Sequence, residues 1–265
     1  MPCYLPRVND DDFLAHVADR LGELPGVRAV TLGGSRAEGT YRADSDWDFS
    51  VYYRGLFDPQ ALRDLGWPGE VSEVGGWGGG VFNGGAWLEV DGRTTDVHYR
   101  DLDTIDQEIE ASRAGRFHIE LLMFHLAGIP SYLVLAELAV KRVLRGELPT
   151  PEYPAALRKR ASEIWWDRAD RTFGYARQNY AAHGRVTQCA GLVAQGTAQA
   201  AHAVLAARGQ WITNEKQLLT KAGLCEVDDY ICAARADADA LRDLVDRSRT
   251  ACADALGEAQ AEGNR

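Results

Sequence analysis

The segment DWDFSVYY, residues 46–53, alternates between polar and apolar positions. Trp47, Phe49, Val51 and Tyr53 fall on one side, and Asp46, Asp48 and Ser50 on the other. A period of two marks a strand with one buried face and one polar face. It follows VRAVTL (27–32), an apolar run that reads as a buried strand and stops at Gly33-Gly34. The first part of the chain therefore folds around a sheet. Ahead of it, Asp10–Asp12 offer N-caps, and Phe13, Leu14, Val17, Ala18 and Leu21 recur at helical spacing, which predicts a helix over 10–23. PQALRDLG (59–66) reads as a short helix, and the Gly-rich stretch 66–86 as a loop. AWLEVDGRTTDVHYR (86–100) reads as two strands joined by Asp91-Gly92, a strong hairpin signal. LDTIDQEIEASRAG (102–115) returns to helix.

The texture changes near residue 116. Strand signals stop, and Ala-, Arg- and Leu-rich patterns predict helices near 131–145, 154–182, 185–208, 214–223 and 236–260. The expected organisation is α+β: a sheet domain over 1–115, then a helical bundle over 116–265. Charge divides at the same place. The first 115 residues hold 21 Asp and Glu against 10 Arg and no Lys, a net of −11, while the remainder is +1. That acidity argues against a partner that is nucleic acid. The five cysteines (Cys3, Cys189, Cys225, Cys232, Cys252) contain no C-x-x-C pair and read as free thiols of a reducing compartment. The first residues lack the apolar core of a signal peptide. The longest apolar run, YLVLAELAV, is short and carries a Glu, so no membrane span is expected and the expected location is cytoplasmic.

Chemistry concentrates in GGSRAEGTYRADSDWDF, residues 33–49. Asp46 and Asp48 sit two apart on a strand and project from one face. Two carboxylates that close repel each other unless a cation lies between them. Oxygen-only ligands suit a hard divalent ion, most naturally Mg²⁺, which also takes substrate phosphates into its shell. The Gly34-Ser35 turn can bring backbone N–H groups and a hydroxyl to a phosphate, with Arg36 and Arg42 adding positive charge beside it. Asp96, in TTDVH, joins the same cluster if its strand neighbours that of Asp48, as a further metal ligand or as the base for an attacking hydroxyl. Such parts suit phosphoryl or nucleotidyl transfer. The first 115 residues lack lysine, so added positive charge for a triphosphate must come from elsewhere in the chain. Lys216, in GQWITNEKQLL, would open a helix whose N-terminus favours anions, with Asn214 near it.

The motif GGSRAEGTYRADSDWDF with a later TTDVH resembles the DNA polymerase β-like nucleotidyltransferase superfamily. The Gly-Ser-x10-Asp-x-Asp spacing also resembles the minimal nucleotidyltransferases, and the added helical region resembles aminoglycoside and lincosamide nucleotidyltransferases. The resemblance implies a mixed sheet with flanking helices. It implies triphosphate binding by Gly34 and Ser35, Mg²⁺ binding by Asp46 and Asp48, and Asp96 as third ligand or base. It implies transfer of an NMP from an NTP, taken as ATP, to a hydroxyl of a small molecule. Some relatives carry the base on the helical domain, which brings Glu120 and Glu137 into view. The net charge favours a cationic acceptor of the aminoglycoside type. The alternative is an antitoxin-type enzyme that adenylylates a partner protein or RNA, disfavoured by the long helical region. A third reading, an idle binding protein, conflicts with a complete set of acids.

Other signals carry two readings. Trp77 and Trp87 either stack a sugar or base, or pack a core or lid, which is the commoner use. His98 shares the strand face of Asp96 and reads more readily as structural. Arg177–His183, RQNYAAH, has the Arg-x5-His spacing of some helical RNases, a spacing that arises easily by chance on Arg-rich helices.

Overall fold

The computed structural model describes residues 9–78, 80–122 and 125–263. Cys3 and the rest of the N-terminal segment read for a signal peptide lie outside them up to residue 8. The chain divides into two compact units, residues 1–109 with 134–151, and residues 110–133 with 152–265.

The first unit opens with α1 (Asp10–Gly22), capped by Asn9, whose side chain accepts the Asp12 N–H. Its five predicted apolar residues are all buried. Then come β1 (Val27–Leu32), the short α2 (Gly34–Glu38), β2 (Trp47–Tyr53), α3 (Pro59–Arg63), β3 (Gly69–Val71), β4 (Gly85–Val90), β5 (Arg93–Asp101) and α4 (Leu102–Arg113). After β6 (Ile119–Glu120) and β7 (Ile129–Pro130), a two-stranded pair of the second unit, come α5 (Leu133–Val140) and β8 (Arg142–Arg145). The six-stranded sheet runs β3-β4-β5-β2-β1-β8. Among the described residues only β2 and β5 pair in parallel, so the sheet is mixed. The β4–β5 turn holds Asp91 at φ 50° and Gly92 at φ 70°, the two left-handed residues that a tight two-residue hairpin turn requires.

One sheet face is dry: Trp47, Phe49, Val51 and Tyr53 of β2 pack with Phe13, Val17 and Leu21 of α1. The other carries the polar residues of β2 and β5. The alternation of DWDFSVYY thus decides which side holds the core and which side holds chemistry.

The second unit contains α6 (Ala155–Tyr175), α7 (Val186–Arg208), α8 (Leu218–Ala222), α9 (Glu226–Cys232) and α10 (Ala238–Gly263). Its core gathers Trp165, Phe173, Val204, Leu241 and Val245 with many alanines. The four described cysteines are free thiols. No helix among the described residues is long and apolar enough to cross a membrane.

Several readings change. The helix expected over 131–145 ends at Val140, and Arg142–Arg145 instead joins the sheet beside β1. Residues 134–151 accordingly belong with the sheet, although they follow the change of texture at 116. The helix expected over 154–182 is α-helical only to Tyr175; a π turn (Ala176–Tyr180) and a 3₁₀ turn (Ala181–His183) follow. The helix expected over 214–223 is five residues long and starts at Leu218, and α9 was not expected. The loop expected over 66–86 contributes β3.

Candidate active site

Asp48 is the second residue of β2 and Asp96 the fourth of β5, and the parallel register sets them directly opposite each other. Both are half-buried on the polar face. The turn after β1 closes on the same point. The Gly33 N–H donates to the Asp48 carbonyl at 2.7 Å. Gly34 takes φ 60°, and a Cβ placed there would stand 1.9 Å from Asp48 Oδ2. Only glycine lets the turn rest on that carboxylate, both for its left-handed backbone and for the missing side chain. Ser35 follows in the first turn of α2, half-buried. The structure thus brings together Gly34, Ser35, Asp48 and Asp96.

Asp46 lies just before β2 and is exposed. Among the described residues no group of three or more His, Cys, Asp or Glu side chains is arranged to hold a metal ion. The expected three-acid cluster is here a facing pair with Asp46 on its approach. The donor set, all carboxylate oxygen, fits a hard divalent cation.

The two arginines are placed differently from a free phosphate clamp. Arg36 Nε donates to the carbonyls of Ser45 (3.2 Å) and Asp46 (3.1 Å), and Nη2 to Ser45 (2.8 Å). Its guanidinium lies 3.9 Å from the Trp47 ring centroid and 4.8 Å from that of Tyr41. Arg36 therefore braces the loop that carries Asp46. Arg42 is exposed, pairs with Asp44 at 3.3 Å, and offers its backbone N–H to Ser45 Oγ. On this side a cleft of about 650 Å³ is lined by residues including Arg36, Tyr41, Asp46, Trp47, Arg93 and Thr94.

Further down the polar face, Thr31, Ser50 and His98 form the next row. Burial, with the Arg100 charge beside it, pushes the His98 imidazole down to about 4, so it is neutral near pH 7. Then come Tyr52 and Arg100. Arg100 is 1% exposed and bonds both Glu137 oxygens, Nε to Oε2 at 2.6 Å and Nη2 to Oε1 at 2.7 Å. Burial acts to lower the Arg100 pKa, but the Glu137 charge, the hydrogen bonds to it and the neighbouring Tyr52 and Tyr53 together outweigh it; the net shift is upward and Arg100 stays charged. This fork occupies Glu137, one of the two glutamates considered as a base. Glu120, the other, lies in the second unit, 2.8 Å from His118 Nε2. The Arg100–Glu137 pair had no sequence signal, since its partners lie 37 residues apart.

Trp77 and Trp87 stack on each other with centroids 4.9 Å apart, and Trp77 meets the His98 ring edge-on at 5.8 Å. In the second unit, Lys216 is exposed in the turn before α8, and its N–H donates to Asn214 Oδ1 at 2.9 Å. The helix that was expected to begin beside it starts two residues later and has barely more than one turn, so the dipole support for an anion there falls away. Arg177 of the RQNYAAH segment bonds Asp246 at 2.8 Å.

The mixed sheet thus carries a glycine turn closed over Asp48 on one strand, with Asp96 opposite it on the next. Residues 14–77 match the family described as nucleotidyltransferase domain, a stretch that includes the Gly34 turn, Asp46 and Asp48. That match lies within the first unit and supports a nucleotidyltransferase domain of the polymerase β-like type, and with it a transferase. No curated protein matches the chain. Among solved structures, a nucleotidyltransferase-like protein from Exiguobacterium sibiricum is similar over 92% of this chain and 76% of its own, with 10% identity and a TM-score of 0.41.

Proposed function

We propose that the protein transfers an NMP from ATP to a hydroxyl of a small cationic molecule of the aminoglycoside type, with Mg²⁺ as the resident ion. The observation that carries this reading is the direct opposition of Asp48 and Asp96 beneath the Gly34 turn. Asp48 and Asp96 would hold the ion, with Asp46 supplying a carboxylate from the approach to β2. When bound, Mg²⁺ would neutralise charge on the phosphates. The Gly34-Ser35 turn binds and orients the triphosphate, and Arg36 fixes the loop that presents Asp46. Asp96 accepts the proton of the attacking hydroxyl as the oxygen bonds to the α-phosphorus and pyrophosphate leaves. Arg42 and, on its charge alone, Lys216 are proposed phosphate contacts.

The acceptor class rests on the net charge of −11 over the first 115 residues, which attracts cations and steers them inward. The test is a screen of α-labelled NTPs against an acceptor library, run with the wild type and with Asp48→Asn and Asp96→Asn. Transfer should fall by orders of magnitude in Asp48→Asn. In Asp96→Asn, kcat should fall more than the NTP KM rises. Near-wild-type turnover in Asp48→Asn would overturn the reading.

A further inference from the structure

Four strands place four side chains in one row across the polar face of the sheet: Glu70 of β3, Trp87 of β4, Asp96 of β5 and Asp48 of β2. Glu89, two residues along from Trp87 and opposite Thr94, projects from the same face. Trp87 is 51% exposed, and Glu70 and Glu89 are exposed beside it. The ring is not loose. Trp77 is stacked against it, and Trp77 itself rests on Gly85, where an added Cβ would stand 2.4 Å from the indole. The sheet thus presents a braced aromatic ledge, one strand from Asp96 and two from Asp48.

We propose that this ledge is the acceptor subsite: Trp87, braced by Trp77, carries the face of a ring-shaped polyamine, and Glu70 and Glu89 hold its ammonium groups. This rests on the nucleotidyl-transfer reading and deepens it. Charge complementarity selects the occupant. An indole face attracts cations, and flanking carboxylates repel a second anion. Spacing fits as well. Neighbouring strands lie about 4.8 Å apart, so the row from Glu70 to Asp48 spans about 14 Å, the reach of a one- or two-ring molecule. A ring seated on Trp87 brings a hydroxyl towards Asp96, the proton acceptor, while the amines stay on the far side.

The test is calorimetric titration with 2-deoxystreptamine, a ring carrying two amines and three hydroxyls, and with myo-inositol, a neutral ring of the same size. Wild type, Trp87→Ala, Trp87→Phe and Glu70→Gln/Glu89→Gln are compared, with ATP titrated in parallel. The diamine Kd should rise about tenfold in Trp87→Ala and be largely restored in Trp87→Phe. It should rise in the double glutamine variant, which alters exposed residues and keeps the fold if Trp87→Ala does not. No diamine binding to the wild type, equal Kd in Trp87→Ala, or inositol binding as tightly as the diamine each overturns the ledge. Diamine binding that tracks Trp87 in a protein that neither binds nor transfers ATP supports the ledge and refutes the transfer reading. Transfer to acceptors whose KM ignores Trp87 does the reverse.

Discussion

Gly34→Ala tests the centre of the site with a single methyl group. A Cβ there would stand 1.9 Å from Asp48 Oδ2 and 2.6 Å from its Cγ. Non-bonded carbon and oxygen do not approach within about 3 Å, so the carboxylate must retreat by about 1 Å or the turn must lift away. Either movement separates the turn from the acid opposite Asp96. A displacement of that size in a reacting constellation costs about a hundredfold in rate. The methyl also meets φ 60°, and a left-handed alanine costs about 1–2 kcal/mol in stability. Gly39 supplies the control: it has φ 72°, and nothing lies within 4 Å of an added Cβ. Gly39→Ala carries the same backbone strain without the collision. The assay is transfer from α-labelled ATP, scaled to folded protein by thermal melting. Gly39→Ala should lose only the backbone-strain cost, Gly34→Ala that cost and the collision's, and only Gly34→Ala should lose about a hundredfold in kcat. Equal activities in the two variants would refute the idea that the turn positions Asp48.

Three further outcomes follow from the geometry. Glu137→Ala leaves the buried Arg100 charge unpaired and should cost about 3–5 kcal/mol in denaturant unfolding, while Arg100→Met/Glu137→Leu should recover most of it; the folded fraction of the double variant should keep its kcat, and a collapse would return Glu137 to the list of bases. His202, stacked on Trp165 with its pKa pushed by burial to about 3, binds a proton in the unfolded chain before the folded one, so stability should fall as pH drops from about 6.5 towards 3; His202→Phe should flatten that slope by up to about 1.4 kcal/mol per pH unit, and an unchanged slope would show that His202 is not its source. Lys216→Ala should raise the ATP Kd about tenfold or more if the lysine meets a β- or γ-phosphate, and an unchanged Kd would make it a surface residue.

Local chemistry decided what could be read from the sequence. β2 announced itself because its alternation runs unbroken from Asp46 to Val51, and the β4–β5 hairpin because Asp91-Gly92 admits few other conformations. The glycine turn and the Asp-x-Asp spacing then named Gly34, Ser35 and Asp48 as candidates, and the register sets Asp96, named from TTDVH, opposite Asp48. What escaped depends on partners far away in sequence. β3 is three residues long, Gly69–Val71, and exists through its pairing with β4. β8 is an edge strand of sequence RVLR that directly follows an apolar helical run, so periodicity carried the helix through it; its arginines suit an edge that must not pair further. Arg36 read as a phosphate ligand because a loop arginine beside a glycine turn has that use, and only the folded loop reveals its donors turned to the Ser45 and Asp46 carbonyls. The row from Glu70 to Asp48 is a product of register across four strands, which no single window contains.

The polar face is graded along the strands, and the grading bears on the chemistry. At one end Asp48 and Asp96 are half-exposed. Two residues along β5, His98 is neutral near pH 7, since its pKa lies at about 4. Four residues along β5 from Asp96, about 13 Å away, Arg100 is cancelled by Glu137. Neither His98 nor Arg100 therefore adds net positive charge to the acid row. Had Arg100 been unpaired, its field through a poorly screened interior would have favoured anions at the same face. With the pair closed, the face stays net negative. A face in that condition would suit the divalent ion and the polyamine of the proposed reaction, each of which would offset charge that a triphosphate brings.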